Sequence, residues 1–273
     1  MKFTGERLTT DINGQIAIEH LHRYAMACEL AKNKVVLDIA SGEGYGSNLL
    51  ASVASHVTGV DISVEAVKHA SEKYTKKNIV FKQGSATKIP LENASVDIVT
   101  SFETIEHLVE HDVMLEEFKR VLKPGGILII SSPDKKYYTD MPSHENEFHL
   151  KELYENDFRE LLGKNFAHCA FFNQGFAVTS FIHNEKQLGL DAYTGNFNQL
   201  ESRKPSHIYN ICIASSQPLP SINHSIFEGT QVYLRIEDYF TGKINDVYNS
   251  TSYKIGNAVV MPLKKITAIF KKK

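Results

Sequence analysis

Residues 35–46, with the sequence VVLDIASGEGYG, constrain the fold more strongly than any other part of the chain. The segment starts as a short apolar run rich in β-branched residues, which is typical of a buried strand, and then breaks into glycines at Gly42, Gly44 and Gly46. Glycine lets the backbone turn sharply and lets a ligand approach it, and a following helix presents unpaired N–H groups at its start. The segment therefore predicts a strand, a tight turn and a helix that together bind a nucleoside ligand.

The chain around this segment alternates short apolar runs with amphipathic stretches. Near-continuous apolar strands are typical of a parallel sheet that is covered on both faces, and regular alternation with helices predicts right-handed crossovers. We therefore expect an α/β fold with a doubly wound, mostly parallel sheet. The predicted strands are residues 35–39, 57–60, 79–81, 96–100 and 127–130, and the predicted helices between them are 46–54, 64–74 and 113–122.

Further elements are predicted on both sides of this core. Residues 15–30 are expected to form a helix that leads into the sheet, and residues 150–162 a helix that follows it. Two late strands, 166–172 and 209–214, predict an antiparallel edge on the sheet. The polar stretch 173–207 is expected to form either a packed surface loop or a wall that contacts an acceptor. Its aromatic residues are Phe176, Phe181, Tyr193 and Phe197.

These elements divide the chain into three parts. Residues 1–33 are expected to form an N-terminal helical lid, residues 34–216 the α/β domain, and residues 217–273 a basic amphipathic extension with a helical tail. From Tyr253 onward the extension carries six lysines and no acidic residue. A tail of this kind is expected either to pack on its own domain or on a partner protein, or to rest on an anionic membrane surface.

Composition excludes several classes of protein. A formal net charge of -2 gives no overall positive field for nucleic acid. The three cysteines lie far apart without CxxC spacing, so neither a disulfide framework nor a zinc knuckle is predicted. The first residues hold no apolar run of the kind found in secretory signals, and a cytoplasmic location is expected.

The glycine spacing and one acid distinguish between two kinds of nucleoside ligand. A dinucleotide site uses G-x-G-x-x-G, whereas the residue three positions after Gly44 is Ser47. The Asp38 carboxylate, just before the turn, would repel a pyrophosphate but attract the ammonium group of a bound amino acid. These features favour a zwitterionic nucleoside, and an NAD-dependent dehydrogenase is the weaker alternative.

A second acid, Asp61, directly follows the predicted strand 57–60. A carboxylate there accepts hydrogen bonds from both ribose hydroxyls of an adenosine ligand, whichever cofactor carries that adenosine. The alternative is structural, because an acid at this position also caps a helix that begins near Ser63.

Four motifs, in this order and spacing, resemble the class I S-adenosylmethionine-dependent methyltransferase family. They are DIASGEGYGS, VTGVDIS, QGSATKIPLENASVDIVTSFETIEHL and RVLKPGGILIISSPD. The resemblance covers roughly residues 35–133 and implies the Rossmann-like fold of that family, enzymatic activity and S-adenosyl-L-methionine as the cofactor. Three shorter segments, FTGER, IEHLHRY and NEFHLKELY, are similar to methyltransferases that accompany bacterial glycosyltransferases in surface-polysaccharide synthesis.

The resemblance also implies which residues form the cofactor site. Those expected around the methionine part are Asp38, Ala40, Gly42, Gly44 and, nearby, Glu43, with Arg7 or Tyr24 at the carboxylate. Those expected further along are Asp61 at the ribose, Ile62, Ser85 and Ala86 at the adenine, and Phe102 and Glu103 where the sulfonium meets the acceptor. Ser85 stands where the family often has an acid, and its hydroxyl is a weaker acceptor than a carboxylate.

Transfer of a methyl group to a hydroxyl needs an aligned acceptor and a base for the hydroxyl proton. Histidines that follow predicted strands are the candidates, with His149 first, His107 second and His144 beside them. The alternative for each is a surface or hydrogen-bonded structural histidine. His20 and His22 lie two positions apart on a predicted helix, so their rings point apart and no metal site is assigned.

The function expected from the sequence is methylation of a hydroxyl on a sugar or glycan intermediate. A small metabolite such as a quinone, polyketide or nucleotide sugar is the alternative acceptor. A second alternative is a non-catalytic module that keeps the cofactor fold within a glycan-synthesis complex. A glycosyltransferase or a membrane is then the expected partner of the tail, and nucleic acid is not an expected partner.

Overall fold

The computed structural model describes residues 8–11, 14–143, 145–176, 193–196, 199–202, 207–258 and 260. Helices and strands alternate along the described chain as the apolar pattern predicts. The helices are α1 (Gln15–Leu30), α2 (Tyr45–Leu50), α3 (Val64–Lys73), α4 (His111–Val121), α5 (Glu155–Asn165) and α6 (Thr230–Asn249). The strands are β1 (Val35–Ile39), β2 (His56–Asp61), β3 (Ile79–Gln83), β4 (Val96–Ser101), β5 (Leu122–Pro133), β6 (His168–Gln174), β7 (Tyr193–Asn196), β8 (Gln199–Ser202) and β9 (Tyr209–Ser215).

Seven of these strands form one sheet in the order β3-β2-β1-β4-β5-β9-β6. Strands β1 to β5 are parallel, and β9 runs antiparallel to both β5 and β6. The prediction of a doubly wound, mostly parallel sheet with an antiparallel edge is confirmed. The strand order reverses between β1 and β4, and such a switch point leaves a crevice at the carboxyl ends of the strands, where ligands bind.

Three local features differ from the predicted pattern. Strand β5 begins at Leu122 and includes the KPGG segment, because a register shift between Val96 and Ile98 on β4 keeps both parts of β5 paired. Helix α5 begins at Glu155 instead of residue 150, because the N–H groups of Leu150 and Lys151 donate to the Glu106 carbonyl. Strands β7 and β8 form a separate hairpin whose polar sequence gave no strand pattern.

Apolar side chains cover both faces of the sheet. On one face Phe118 of α4 and Phe158 of α5 are fully buried, and on the other face α1 and α2 contribute Ala27 and Leu50. Helix α1 is therefore part of the core on its sheet-facing side. Of the predicted lid, residues 1–33, the positions 1–7, 12 and 13 lie outside the described residues.

The C-terminal extension begins by packing on the domain. Leu219 and Ile222 contact the apolar cluster that includes α1, and Nε2 of His22 lies 2.8 Å from Oγ of Ser225. Helix α6 follows, where a helical tail was predicted, and exposes Phe240 and Ile244. None of the helices in the described part of the chain combines the length and the apolar character that a bilayer crossing requires.

The close contact between α1 and α2 makes Gly46 intolerant of a side chain. A Cβ atom at Gly46 would lie 1.9 Å from the ring of Tyr24. We predict that Gly46→Ala lowers the free energy of unfolding by about 1–3 kcal/mol, since the buried tyrosine must move. Urea denaturation measures this change.

The matched control is Gly163→Ala in α5. Nothing lies within 4 Å of a Cβ atom at Gly163, so this substitution shows only the helix preference for alanine and stabilises by up to about 1 kcal/mol. Equal effects of the two substitutions would contradict the packing described for α1 and α2.

Candidate active site

A cavity of about 360 Å³ opens at the carboxyl ends of β1, β2 and β4. Its size lies within the range typical of small-molecule sites. The predicted site residues that line it are Tyr24, Ala40, Gly42, Glu43, Asp61, Ile62, Ser85, Ala86, Phe102, Glu103, His107 and His149. The structure therefore brings most of the predicted residues to one place. Asp38 and Gly44 lie outside this lining, and Arg7 and His144 lie outside the described residues.

The turn after β1 has the backbone shape that its glycines predict. Ala40, Gly42 and Gly44 all have positive φ angles, of 56°, 54° and 91°. At Gly44 a Cβ atom would also meet Cβ of Ala70 at 2.8 Å and the ring of Phe81 at 2.9 Å. Glycine is therefore required at position 44 for both conformation and space, and α2 starts directly after it.

The Asp38 carboxylate is fully buried behind this turn and is held by hydroxyl groups from three elements. Ser47 Oγ donates to it at 2.6 Å, Thr100 Oγ1 at 2.8 Å and the Tyr24 hydroxyl at 3.2 Å. Burial raises the pKa of Asp38 to about 6, although these three hydrogen bonds oppose the increase. Ser47, which departs from the dinucleotide pattern, thus serves as a donor to Asp38.

Asp61 lines the cavity and fixes the turn at the same time. Its Oδ2 accepts a hydrogen bond from the Gly42 N–H at 2.8 Å, and its Oδ1 accepts one from the Ser63 N–H at 2.9 Å. The cap of α3 is Ser63 itself, whose Oγ accepts from the Ala66 N–H. Asp61 therefore supports the loop before α3, while its place at the cavity agrees with the predicted contact to a ribose.

The end of the cavity that is predicted to hold the adenine combines an exposed apolar side chain with a hydroxyl. Ile62 is 66% exposed beside Asp61, as a side chain that stacks on a base requires. The Ser85 Oγ lies 2.8 Å from the Thr87 hydroxyl and accepts from the Thr87 N–H. Ser85 is thus part of a small hydroxyl pair at this end.

Glu43 lines the cavity, but its carboxylate has partners on α3 and the N-terminal segment. Lys73 Nζ lies 2.6 Å from Oε1, and the hydroxyls of Thr10 and Tyr74 also donate to this carboxylate. Burial opposes ionisation of Glu43, yet these hydrogen bonds outweigh it and lower its pKa. Glu43 therefore fastens the turn to α3.

Aromatic residues close the side of the cavity near α1. Tyr24 makes edge-to-face contacts with Tyr45 and Phe102, at ring-centroid distances of 5.7 and 5.0 Å. The Tyr45 hydroxyl lies 2.7 Å from Nδ1 of His20, which also lines the cavity. Burial, and then the charge of Arg23, lowers the pKa of His20 well below its ordinary value, so this ring is neutral. Arg23 Nη1 itself lies 3.6 Å from Glu103.

The opposite end of the cavity holds two histidines in contact. The rings of His107 and His149 meet edge to face with centroids 5.1 Å apart, and Tyr138 stacks on His149 at 5.2 Å. Nδ1 of His107 lies 2.8 Å from the Phe148 carbonyl, and Nδ1 of His149 lies 2.5 Å from Oε1 of Glu152. Each ring thus donates its Nδ1 proton to an oxygen.

Asn146 shows which nitrogen of His149 carries the lone pair. The Asn146 Oδ1 accepts from the Phe148 N–H, so its amide nitrogen faces Nε2 of His149 at 3.1 Å. An amide N–H donates, and Nε2 must accept. His149 therefore carries its proton on Nδ1 and its lone pair on Nε2.

Glu106 is a third functional group at this end, beside His107. It is only 1% exposed, and among the described residues its Oε2 has no hydrogen-bond partner. Burial, and then the charge of Glu103, raises the pKa of Glu106 well above its ordinary value. One ligand atom each of Glu106, His107 and His149 lies within 4.8 Å of the others, which is close enough for a metal ion.

Several residues of the site were not predicted from sequence. They are Tyr45, Glu106, Tyr138, Asn146 and Glu152. His20 was considered from sequence as a metal ligand, and that role was rejected. Tyr45 follows Gly44 and Glu106 precedes His107, so adjacency to a predicted residue was an available signal for both. The contacts of Tyr138 and Asn146 with His149 depend on how the chain folds after β5.

The sheet order, the glycine turn and the acid at the end of β2 together define a Rossmann-like enzyme that binds a nucleoside cofactor. Comparison with known proteins identifies the family. Residues 37–130 match the family described as Methyltransferase domain. A probable S-adenosylmethionine-dependent methyltransferase of Mycobacterium tuberculosis is 33% identical over 203 residues, which cover 71% of this chain and 69% of that protein. The chain belongs to the S-adenosylmethionine-dependent methyltransferases.

Other relatives match shorter parts. A probable S-adenosylmethionine-dependent methyltransferase of Mycolicibacterium smegmatis is 38% identical over 46% of this chain, which spans about half (49%) of that relative. The demethylmenaquinone methyltransferase of Lactococcus lactis is 33% identical over 48% of this chain and 52% of its own length. The crystal structure of YcgJ from Bacillus subtilis superposes with a TM-score of 0.54 at 18% identity, covering 73% of this chain and all (100%) of that one, and agrees in fold.

S-Adenosylmethionine is the cofactor of this family, and the residues at the cavity fit it. Asp61 has a carboxylate at the cavity that would suit the ribose, and Ile62 has an exposed apolar side chain that would suit the adenine. The turn at Gly42 leaves backbone exposed for the amino-acid part, beside Tyr24. These residues would hold the cofactor.

The charge on Asp38 predicts a pH-dependent effect of Thr100→Val, a nearly isosteric change that removes one donor. Above a pKa of about 6 the carboxylate is charged and the lost hydrogen bond costs about 1.5–3 kcal/mol. Below that pKa the Asp38 carboxyl is already neutral in the wild-type protein. Thr100→Val then lowers the free energy of unfolding by only about 0.5–1.5 kcal/mol. Urea denaturation at about pH 7.5 and about pH 5 measures both losses.

The control is Thr104→Val, whose hydroxyl donates to the uncharged Phe102 carbonyl at 3.1 Å. Its cost should be the same at both pH values. A Thr100→Val cost that is also unchanged would show that Asp38 does not titrate between them.

Proposed function

We propose that this protein transfers a methyl group from S-adenosylmethionine to a hydroxyl oxygen of a sugar or glycan intermediate. The observation that carries the proposal is a single cavity that joins Asp61 and Ile62 at one end to His107 and His149 at the other. The nucleoside part of the cofactor and a histidine pair for the acceptor thus share one space. Phe102 and Glu103, also in this lining, come from the loop after β4 between the two ends.

Bound S-adenosylmethionine supplies a methyl group on a positively charged sulfur, and transfer forms the acceptor O–C bond while the C–S bond breaks with its electron pair left on sulfur. The acceptor hydroxyl must also lose its proton. His149 and His107 are the residues proposed to activate it, since both line the cavity and each ring donates its Nδ1 proton elsewhere. Nε2 of His149 carries the lone pair and now accepts from the Asn146 amide, which would turn aside for the acceptor hydroxyl. Glu152, at Nδ1, would stabilise the imidazolium that forms.

The histidine end of the cavity has the side chains that sugars bind. Tyr138 and Asn146 line it with the two histidines and offer a hydroxyl, an amide and aromatic rings. Sugar hydroxyls need both donors and acceptors. The Tyr138 hydroxyl and the Asn146 amide can donate, and Nε2 of His149 can accept. Four aromatic residues were predicted to line either an acceptor wall or a surface loop. Phe176 is exposed outside this lining, Tyr193 begins β7, and Phe181 and Phe197 lie outside the described residues.

A quinone or related lipid is the second candidate acceptor. The observation that favours it is the similarity to a demethylmenaquinone methyltransferase, together with apolar cavity residues such as Ile39, Phe102 and Leu108. A small-metabolite acceptor and a glycan acceptor both require the same binding site for the cofactor. Only an assay with acceptors of both classes therefore distinguishes the two candidate functions.

Loss of the ribose contact is the first test of the site. Asp61→Ala is expected to weaken binding of S-adenosylmethionine by roughly 10–200-fold, because it removes the carboxylate that accepts from the ribose. Isothermal titration calorimetry measures the affinity.

Asp61 also holds the turn, so the control is Ser63→Ala, which removes the α3 cap and leaves the Asp61 carboxylate in place. Weakening by Ser63→Ala as large as that by Asp61→Ala would assign the effect to the loop and not to the ribose. Unchanged affinity in Asp61→Ala would place the cofactor elsewhere.

Activity on acceptors is the second test. Incubation with methyl-labelled cofactor and matched panels of sugars and quinones is expected to label a sugar hydroxyl, detected by mass spectrometry. His149→Ala should lower that turnover about 100-fold or more while cofactor affinity is retained.

The control for this substitution is His168→Ala, an exposed histidine on β6 away from the cavity, which should retain full turnover. Labelling of quinones alone would replace the sugar with the second acceptor class. Full turnover in His149→Ala would remove His149 from the reaction.

A further inference from the structure

We propose that Glu106, His107 and His149 form a binding site for one divalent transition-metal cation at the acceptor end of the cavity. We call these three residues the Glu–His–His cluster. One ligand atom from each lies within 4.8 Å of the other two, and all three residues line the cavity. The three residues come from two separate loops, one after β4 and one after β5.

Both histidines are oriented as metal-binding histidines usually are. Nδ1 of His107 donates to the Phe148 carbonyl at 2.8 Å, and Nδ1 of His149 donates to Glu152 at 2.5 Å. A ligating histidine almost always donates its other ring N–H to a carbonyl or carboxylate, which fixes the ring and raises its basicity. Nε2 then carries the lone pair in each ring. The Thr139 hydroxyl in turn donates to Glu152 at 2.8 Å and so helps to hold the carboxylate that orients His149.

The Glu106 carboxylate gives independent support for a bound cation. Its Oε2 is buried, and in the described part of the chain it accepts no hydrogen bond. A buried carboxylate oxygen without a partner is costly, and such oxygens usually have a hydrogen bond or a metal ion. A cation between this oxygen and the two histidines would satisfy it.

The donor set determines the class of metal. Two imidazole nitrogens and one carboxylate oxygen suit Zn²⁺, Mn²⁺ or Fe²⁺, whereas Ca²⁺ and Mg²⁺ prefer oxygen ligands throughout. Three protein ligands also leave at least one coordination position open. In this cavity the open position would face the acceptor. Asn146, whose amide now donates to Nε2 of His149 at 3.1 Å, must turn away when the cation binds.

The inference rests on the proposed function and specifies how the histidines activate the acceptor. A hydroxyl oxygen bound to a divalent cation loses its proton more easily. The proton passes to water, and the oxygen keeps the electron pair that forms the new bond to the methyl carbon. With the cation bound, water takes the proton that would otherwise pass to Nε2 of His149, and His149 serves as a ligand of the cation.

The test measures binding of the metal alone to the full chain. After dialysis against a chelator, calorimetry with ZnCl₂ and with MnCl₂, supported by elemental analysis, is expected to show one bound ion per chain. Glu106→Gln keeps the side-chain shape and should abolish binding. Glu152→Gln leaves all three ligands and should weaken binding by roughly 10–100-fold, because only the support of His149 is lost.

A second group, Asp134, Glu155 and His207, also has ligand atoms within 4.8 Å of one another and provides the control. His207→Ala should leave the measured binding unchanged. Thermal unfolding of each variant without metal checks folding, and added Zn²⁺ should raise the melting temperature of the wild type but not of Glu106→Gln. Should Glu106→Gln fail to fold, His149→Ala serves as the second ligand variant.

Absence of binding to the wild type, equal binding to the wild type and Glu106→Gln, or loss of binding in His207→Ala would overturn the metal site. The proposed function has a separate readout, since labelled methyl transfer by the chelator-treated protein would show activity without the metal. Failure to bind S-adenosylmethionine would instead reject the proposed function, whatever the metal result.

Discussion

The buried Asp38 carboxylate connects the parts of the molecule on which the site depends. It accepts hydrogen bonds from Tyr24 of α1, Ser47 of α2 and Thr100 of β4. Burying a carboxylate is unfavourable unless hydrogen bonds stabilise it, and here three hydroxyls do so. The same contacts fix the start of α2, the packing of α1 and the carboxyl end of β4. The shape of the glycine turn follows from this cluster and from the lack of space for a side chain at Gly44.

From this fixed turn the cavity extends toward two chemically different ends. Asp61 bonds to the Gly42 N–H, so the acid proposed to hold the ribose also holds the backbone proposed to lie against the methionine part. At the other end the Glu106 carbonyl accepts from the N–H groups of Leu150 and Lys151. That pair of bonds brings the loop with His149 against the loop with His107. The residues proposed to act on the acceptor thus depend on a backbone connection between the segments after β4 and β5.

Much of the fold was predictable because its strands are buried on both faces. The strands β1 to β4 begin and end within about two residues of the predicted positions, since short apolar runs mark them directly. The start of β5 was not predictable from a helix-stop sequence such as KPGG, because its pairing depends on a register shift opposite Val96. The hairpin of β7 and β8 was missed because YTGN and QLES carry no apolar alternation.

The same distinction applies to the site: residues in local motifs were predictable, whereas contacts between distant segments were not. The turn, Asp61, Ile62, His107 and His149 were predictable, because each stands at the end of a predicted strand or within a motif. The sequence did not show that the Asp38 carboxylate would accept hydrogen bonds from three hydroxyls behind the turn. Nor did it show the contacts of Glu152 and Asn146 with His149, which depend on the conformation of the whole loop after β5.

The most direct measurement is a crystal structure of the full chain with S-adenosylmethionine bound. We expect the ribose hydroxyls on Asp61, the adenine against Ile62 and the amino-acid part along the turn at Gly42. The methyl group is expected to point to the end that holds His107 and His149. A cofactor bound outside this cavity, or one whose methyl group points away from the two histidines, would contradict this expectation.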